Sequence, residues 1–172
     1  MDFQTLENGS QKCADDPGEP TTGKPRISIT REEGQLLAWL ARDKRVLEIG
    51  TGLGISTEWM WMAPASWLDT VDIDPWVHTN IHSQYAGKGA IRCYKNRDAL
   101  PKPKPYDMVF IDASHTTHET LADIAFAESV CTRGVIAVHD AKIPEVAAAL
   151  YGDFGIVPTT HGIGLKFIGW DA

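Results

Sequence analysis

One short stretch limits what this chain can fold into more than any other. Arg45–Ile49 is an apolar run of strand length, and it passes without a linker into Gly50-Thr-Gly52-Leu-Gly54 and then into a helical pattern. A strand that ends in glycines and opens a helix is the working unit of open α/β sheets. The glycines permit a tight turn and close backbone approach, and the helix N-terminus offers N–H groups to a ligand. The rest of the chain keeps the same alternation. Strands are expected over 45–49, 67–73, 91–94, 106–111 and 135–138, with helices starting at Thr30 and over 53–62, 76–85, 117–130 and 144–150. Thr30-Arg-Glu-Glu33 has the spacing of a capping box ahead of Leu36, Leu37 and Leu40. Strands separated by helices imply right-handed crossovers and a mostly parallel sheet covered on both faces. The last two strands, 155–158 and 165–170, lie too close for a helix between them and must pair as an antiparallel hairpin.

Composition narrows the function classes. The 172 residues suit one domain, and 16 Lys and Arg against 23 Asp and Glu give a net charge of −7. Such acidity argues against a nucleic-acid partner, whose phosphates need clustered Lys and Arg. The longest apolar stretch, 59–67, is far short of the roughly 20 residues that span a bilayer, so no membrane partner is expected. No leader pattern opens the chain, and Cys13, Cys93 and Cys131 form neither an even set nor a CxxC pair. A reducing cytoplasm is the expected location. Residues 1–25 are poor in apolar side chains and read as a flexible arm, leaving 26–172 as the folded domain.

The details of the glycine turn point to its ligand. The dinucleotide fingerprint would put glycine at position 55, where Ile55 stands, and Glu48 just before the turn favours a cationic ligand over a pyrophosphate. Both features weigh against a nicotinamide-dependent oxidoreductase. Asp72 ends the second strand, where a carboxylate accepts ribose hydroxyls. Asp98, after the third, can accept from an adenine amino group. Three carboxylates around such a turn suit a nucleoside that carries positive charge.

These segments resemble the class I S-adenosylmethionine (SAM)-dependent methyltransferases. The resemblance runs from Arg26 to Trp170 and rests on Val46-Leu-Glu-Ile-Gly-Thr-Gly-Leu-Gly54, Val71-Asp-Ile-Asp-Pro75, Arg97-Asp-Ala99 and Tyr106-Asp-Met-Val-Phe-Ile-Asp112. It implies a Rossmann-like, seven-stranded, mostly parallel sheet with an antiparallel C-terminal strand and helices on both faces. It also implies that Glu48 and the glycines Gly50, Gly52 and Gly54 hold the methionine part of SAM and Asp72 the ribose. Thr51, Ser56, Ile73, Asp98, Ala99 and Asp112 would bind the cofactor as well. Asp74, before Pro75, reads as a helix cap.

The fourth and fifth strands end in Asp112-Ala-Ser-His115 and His139-Asp140. Asp and His side chains converging on one sheet edge suit a divalent cation such as Mg²⁺ or Mn²⁺, which would lower the pKa of an acceptor hydroxyl while a nearby base removes the proton. The pattern is similar to the metal-dependent O-methyltransferases acting on catechols, caffeoyl thioesters and macrolide sugars. The likeness implies Asp112 and His115 as catalytic residues, His115 the base, and Asp112, His139 and Asp140 as metal ligands. His139 departs from that pattern, where the position carries a carboxylate. Its nitrogen still suits Mn²⁺, Fe²⁺ or Zn²⁺. His78 and His82, four apart on a helix, read as a solvated face, and Cys93 and Cys131 as core residues. The expected activity is transfer of a methyl group from SAM to a hydroxyl of a small molecule. The alternatives are a SAM-binding protein without catalysis and a methyltransferase acting on a non-oxygen or macromolecular acceptor. So short a chain leaves the acceptor side open, to be completed by the arm or by a second copy in a homodimer.

Overall fold

A computed structural model describes residues 29–63, 65–87, 90–101 and 105–169. The arm expected over 1–25 lies outside them. Helix α1 (Arg31–Ala41) starts at Thr30, whose hydroxyl accepts from Glu33 N while the Glu33 carboxylate accepts from Thr30 N, so the capping box is formed. Strand β1 (Arg45–Ile49) follows, then α2 (Ile55–Met62) and β2 (Trp67–Val71). Helix α3 joins a first turn, Pro75–Val77, to a π-helical segment, His78–His82, and a last turn, Ser83–Tyr85. Asp74 caps it, accepting from Trp76 N. Strand β3 (Ile91–Tyr94) leads through a 3₁₀ turn, Arg97–Ala99, to β4 (Met108–Ile111). Helix α4 (Thr117–Val130), β5 (Gly134–Val138), α5 (Pro144–Leu150), β6 (Gly155–Val157) and β7 (Ile163–Ile168) complete the described chain.

The strands form one sheet of seven in the order β3-β2-β1-β4-β5-β7-β6. β1 pairs in parallel with β2 and β4, β2 with β3, and β4 with β5, whereas β7 runs antiparallel to both β5 and β6. The order turns back on itself beside β1, the place where open α/β sheets bind ligands.

Alternation along the strands sorts side chains into two cores. Val46, Leu68, Met108 and Phe110 face one side with Leu37, Trp59 and Ile81, beneath α1, α2 and α3. Leu47, Ile49, Val109 and Ile111 face the other with Ile124, Ala127 and Val146, beneath α4 and α5. Each central strand is buried on both faces, which is why the runs lack polar alternation. Among the described residues no helix is long and apolar enough to cross a membrane.

Five strands differ from the sequence reading by one or two residues at one or both ends. β4 opens at Met108 and not at 106, β5 opens at Gly134, β6 ends at Val157, and the other two bear on the site and its packing. β2 stops at Val71 and not at Ile73, because Asp72 leaves the sheet to bond the glycine turn. β7 begins at Ile163, earlier than 165, and includes Gly164. A Cβ at Gly164 would stand 2.6 Å from Leu150 Cδ1, so this glycine serves close packing of α5 on the sheet and not a turn.

Candidate active site

The carboxyl ends of β1, β2, β3 and β4 border one cleft of about 520 Å³. Gly50 sits at its floor with φ +96, and a Cβ there would lie 2.1 Å from the Asp112 carbonyl oxygen. Only glycine lets the end of β1 approach β4 so closely. Gly54 adopts φ +77 as the cap of α2, and a Cβ would meet the Tyr85 hydroxyl at 2.5 Å. That hydroxyl donates to the Gly54 carbonyl at 3.0 Å and ties α3 to the turn.

Asp72 shapes the turn from the other side. Its Oδ2 accepts from Thr51 N at 3.0 Å and from Gly52 N at 2.9 Å, while Oδ1 accepts from Asp74 N at 2.8 Å. Of the residues singled out from the sequence, Gly50, Thr51, Gly52, Ser56, Asp72, Ile73, Asp98, Asp112 and His115 border the cleft. Gly54 and Ala99 do not. The Ala99 N–H is taken by Asn96 Oδ1 at 2.9 Å.

Glu48 also stands back from the cleft. It is wholly buried under the turn, where Ser56 Oγ and Thr57 Oγ1 each donate to it at 2.5 Å and Thr70 Oγ1 at 2.6 Å. Burial raises its pKa and the three hydroxyls lower it; the net result is a carboxyl raised to about 7. Glu48 does not border the cleft, whereas Ser56, which donates to it, does. Thr51 Oγ1 continues the network to Thr70 Oγ1 at 2.7 Å and to His82 Nε2 at 2.9 Å.

The second half of the site lies where β4 and β5 end. His115 Nε2 is 2.8 Å from Asp140 Oδ2. His139 Nδ1 lies 3.3 Å from Asp112 Oδ1 and 3.4 Å from Asp140 Oδ2, and its Nε2 lies 3.3 Å from Glu33 Oε2. Asp140 reaches this position in a left-handed backbone conformation, φ +56, which Asp tolerates better than most residues. Burial would lower the His139 pKa, but the carboxylates of Asp112, Asp140 and Glu33 outweigh it and push it up to about 12. Asp140 is lowered in turn: burial works against its charge, and His139 and His115 prevail. Asp112, His139 and Asp140 each place one ligand atom within 4.8 Å of the others, so the three expected metal ligands do come together. His139 and Asp140 stand behind Asp112 and do not border the cleft.

Three participants escape the sequence reading. Glu33 is fully buried beside His139, although its capping-box spacing signals only a local role. His82 is buried against Thr51 instead of facing solvent, since the π-helical segment alters the angular register of α3. Arg97 pairs with Asp123 at 2.8 Å on the cleft wall, a contact between a strand-end turn and α4 that no local motif announces.

The fold and the residues lead to known proteins. Residues 47–141 match a family of methyltransferase domains. A catechol O-methyltransferase of Niastella koreensis is 37% identical over 107 residues, 53% of this chain and 48% of that protein. A catechol O-methyltransferase of Mycobacterium tuberculosis is 33% identical over 129 residues, 67% of this chain and 57% of its own. The chain thus spans about half the length of the curated relatives it matches. Among solved structures, the O-methyltransferase TomG of Streptomyces achromogenes, involved in tomaymycin synthesis and in complex with SAM, superposes with a TM-score of 0.65 at 23% identity. The match covers 84% of this chain and 83% of that one. The architecture is the Rossmann-like class I methyltransferase fold.

Proposed function

The chain belongs to this family of methyltransferase domains, and from that premise we propose that it transfers the methyl group of SAM to a hydroxyl oxygen of a small molecule. The observation that carries the reading is the sharing of one cleft by two kinds of residue. The glycine turn, Asp72 and Asp98 border it on one side, and Asp112 and His115 on the other. A volume of about 520 Å³ falls in the range of small-molecule sites. The names of the two catechol O-methyltransferase relatives support a phenolic acceptor.

The residues fit both absent groups. Asp72 and Asp98 would hold the ribose and adenine of SAM, with Thr51, Gly52 and Ser56 near its methionine part. Asp112, His139 and Asp140 combine two carboxylates with one imidazole, a donor set that suits Mg²⁺ poorly and Mn²⁺ well. When bound, SAM supplies the electrophilic methyl and the cation lowers the pKa of the acceptor hydroxyl.

The chain's own part is to position the acceptor and move its proton. Asp140 accepts from His115 Nε2–H, which fixes the ring and leaves Nδ1 as the atom that takes the hydroxyl proton. The oxygen freed of its proton then faces the cleft that holds the methyl donor. Placement in one pocket removes the entropic barrier of bringing the two together.

The test is formation of S-adenosylhomocysteine with a catechol panel, with Mn²⁺ or Mg²⁺ and after chelation. His115→Ala is expected to lower kcat by at least about 100-fold with SAM affinity unchanged by calorimetry. Full activity in that variant would remove His115 from the base role. SAM binding with no turnover on any acceptor would instead favour a binding protein.

A further inference from the structure

Glu33 lies 106 residues from His139 in sequence, on helix α1. Its carboxylate is fully buried and held by four donors besides His139. Thr30 N reaches Oε2 at 2.8 Å, and His161 Nδ1 reaches the same oxygen at 3.0 Å. Thr159 Oγ1 and His161 N reach Oε1 at 2.9 and 2.7 Å. A carboxylate gripped on both oxygens cannot turn away, and when ionised it only accepts. The ring atom that faces it, His139 Nε2, must therefore carry a proton. The other ring atom, Nδ1, faces Asp112 and Asp140, and a cation bound among them would displace the proton it carries there.

A metal-bound histidine gives its second N–H to a carboxylate in this way, which fixes the ring and strengthens it as a ligand. We propose that Glu33 is a positioning residue that holds His139 with Nδ1 toward Asp112 and Asp140, and so makes this a site for a divalent cation that accepts nitrogen, Mn²⁺, Co²⁺ or Zn²⁺, in preference to Mg²⁺. The inference rests on the metal part of the proposed function. Mg²⁺ holds to oxygen ligands and to its waters, whereas an Asp₂His set suits the borderline cations.

The test uses the full chain and the metal alone, with neither SAM nor acceptor, so that failed catalysis and failed metal binding are separate results. Three proteins are compared by calorimetry with Mn²⁺ and Mg²⁺: the wild type, Glu33→Gln and His139→Asp. The wild type should bind Mn²⁺ and Mg²⁺ with at least a tenfold difference. His139→Asp, an all-oxygen site, should narrow that gap. Glu33→Gln should weaken Mn²⁺ by about 10–100-fold, and adding it to His139→Asp should change nothing further, because Glu33 acts through the imidazole. An equal loss from Glu33→Gln in both backgrounds would mean that Glu33 supports only the fold, and would overturn the proposal. Pulsed electron paramagnetic resonance on wild-type protein with Mn²⁺ gives an answer even if Glu33→Gln fails to fold. ¹⁴N coupling that is present in the wild type and missing in His139→Asp supports ligation by the His139 ring. Its absence from the wild type, or no divalent cation bound at all, overturns the proposal while leaving SAM-dependent transfer to be judged by its own assay.

Discussion

Glu33 and Glu48 are both wholly buried, and burial by itself pushes both carboxyls toward the neutral form. They end at opposite extremes. Glu33 faces two imidazoles and two backbone N–H groups, which outweigh burial and hold it far below the usual carboxylate range. Glu48 faces three neutral hydroxyls, and there burial prevails, leaving it at about 7. Loss of solvent contact therefore does not by itself decide the charge of a buried acid. Glu48 lies deeper than Glu33, and the charge carried by the hydrogen-bond donors acts in the same direction. The division also matches position: the fixed anion backs the His139 cluster, and the acid that titrates near neutrality lies under the glycine turn.

Removing the charge from each acid should separate them most sharply. Glu33→Gln keeps the volume but turns an amide toward N–H donors that need an acceptor, leaving buried imidazoles without their counter-charge. Loss of one partner from such a cluster costs about 3–5 kcal/mol. Glu48→Gln faces hydroxyls, which rotate to accept as readily as to donate. Its cost is expected to stay within about 1 kcal/mol. Urea denaturation of both variants at pH 7 measures the difference. Equal losses would break the comparison and show that burial alone governs both sites.

The same contrast separates what the sequence discloses from what it hides. Central strands were legible because burial on both faces leaves apolar runs, uninterrupted in Met108–Ile111 and broken only by Glu48 in 46–49. The cleft residues were legible because the glycine turn and the acids at strand ends must lie on the same edge of a parallel sheet. Thr30 and Glu33 were read correctly as a capping box, since that contact spans three residues. The second role of Glu33 was invisible, because it depends on β5 and on the loop before β7 arriving from more than 100 residues away. The enclosure of Glu48 was equally hidden, because its motif position says nothing of the hydroxyls of Thr57 and Thr70. His82 was misread because its spacing from His78 assumes regular α-helical turns, and the segment is π-helical.

Titration of Glu48 gives the next largest effect, with a definite sign. Its folded pKa of about 7 stands above the ordinary 4.5, so the folded state binds the extra proton between those values. Stability contributed by the protonated form is complete below pH 4.5 and is lost as pH rises through 7. The loss has a ceiling of about 3 kcal/mol. Glu48→Gln cannot titrate, so its stability should fall less than that of the wild type between pH 5 and pH 8 in matched urea series. A wild type whose stability runs parallel to that of the variant over that interval would show that the hydroxyls hold Glu48 ionised, as the imidazoles hold Glu33.

The smallest effect tests how far the hydroxyl network reaches. Thr51 Oγ1 joins Thr70, and through it Glu48, to His82 Nε2. Burial lowers the His82 pKa, the neighbouring His78 adds to that, and Asp72 opposes it, so the surroundings favour the neutral ring. Thr51→Val keeps the side-chain shape and removes the hydroxyl. The backbone N–H of residue 51 still donates to Asp72, so the turn keeps its geometry. The expected loss is about 1 kcal/mol, the net worth of a neutral hydrogen bond, and it should be the same at pH 7 and pH 8. A loss that changes between these two values would mean that Thr51 helps set the proton on Glu48. The neutral shell of Glu48 would then extend through His82 to the surface of α3, which the closed cluster around Glu33 does not do.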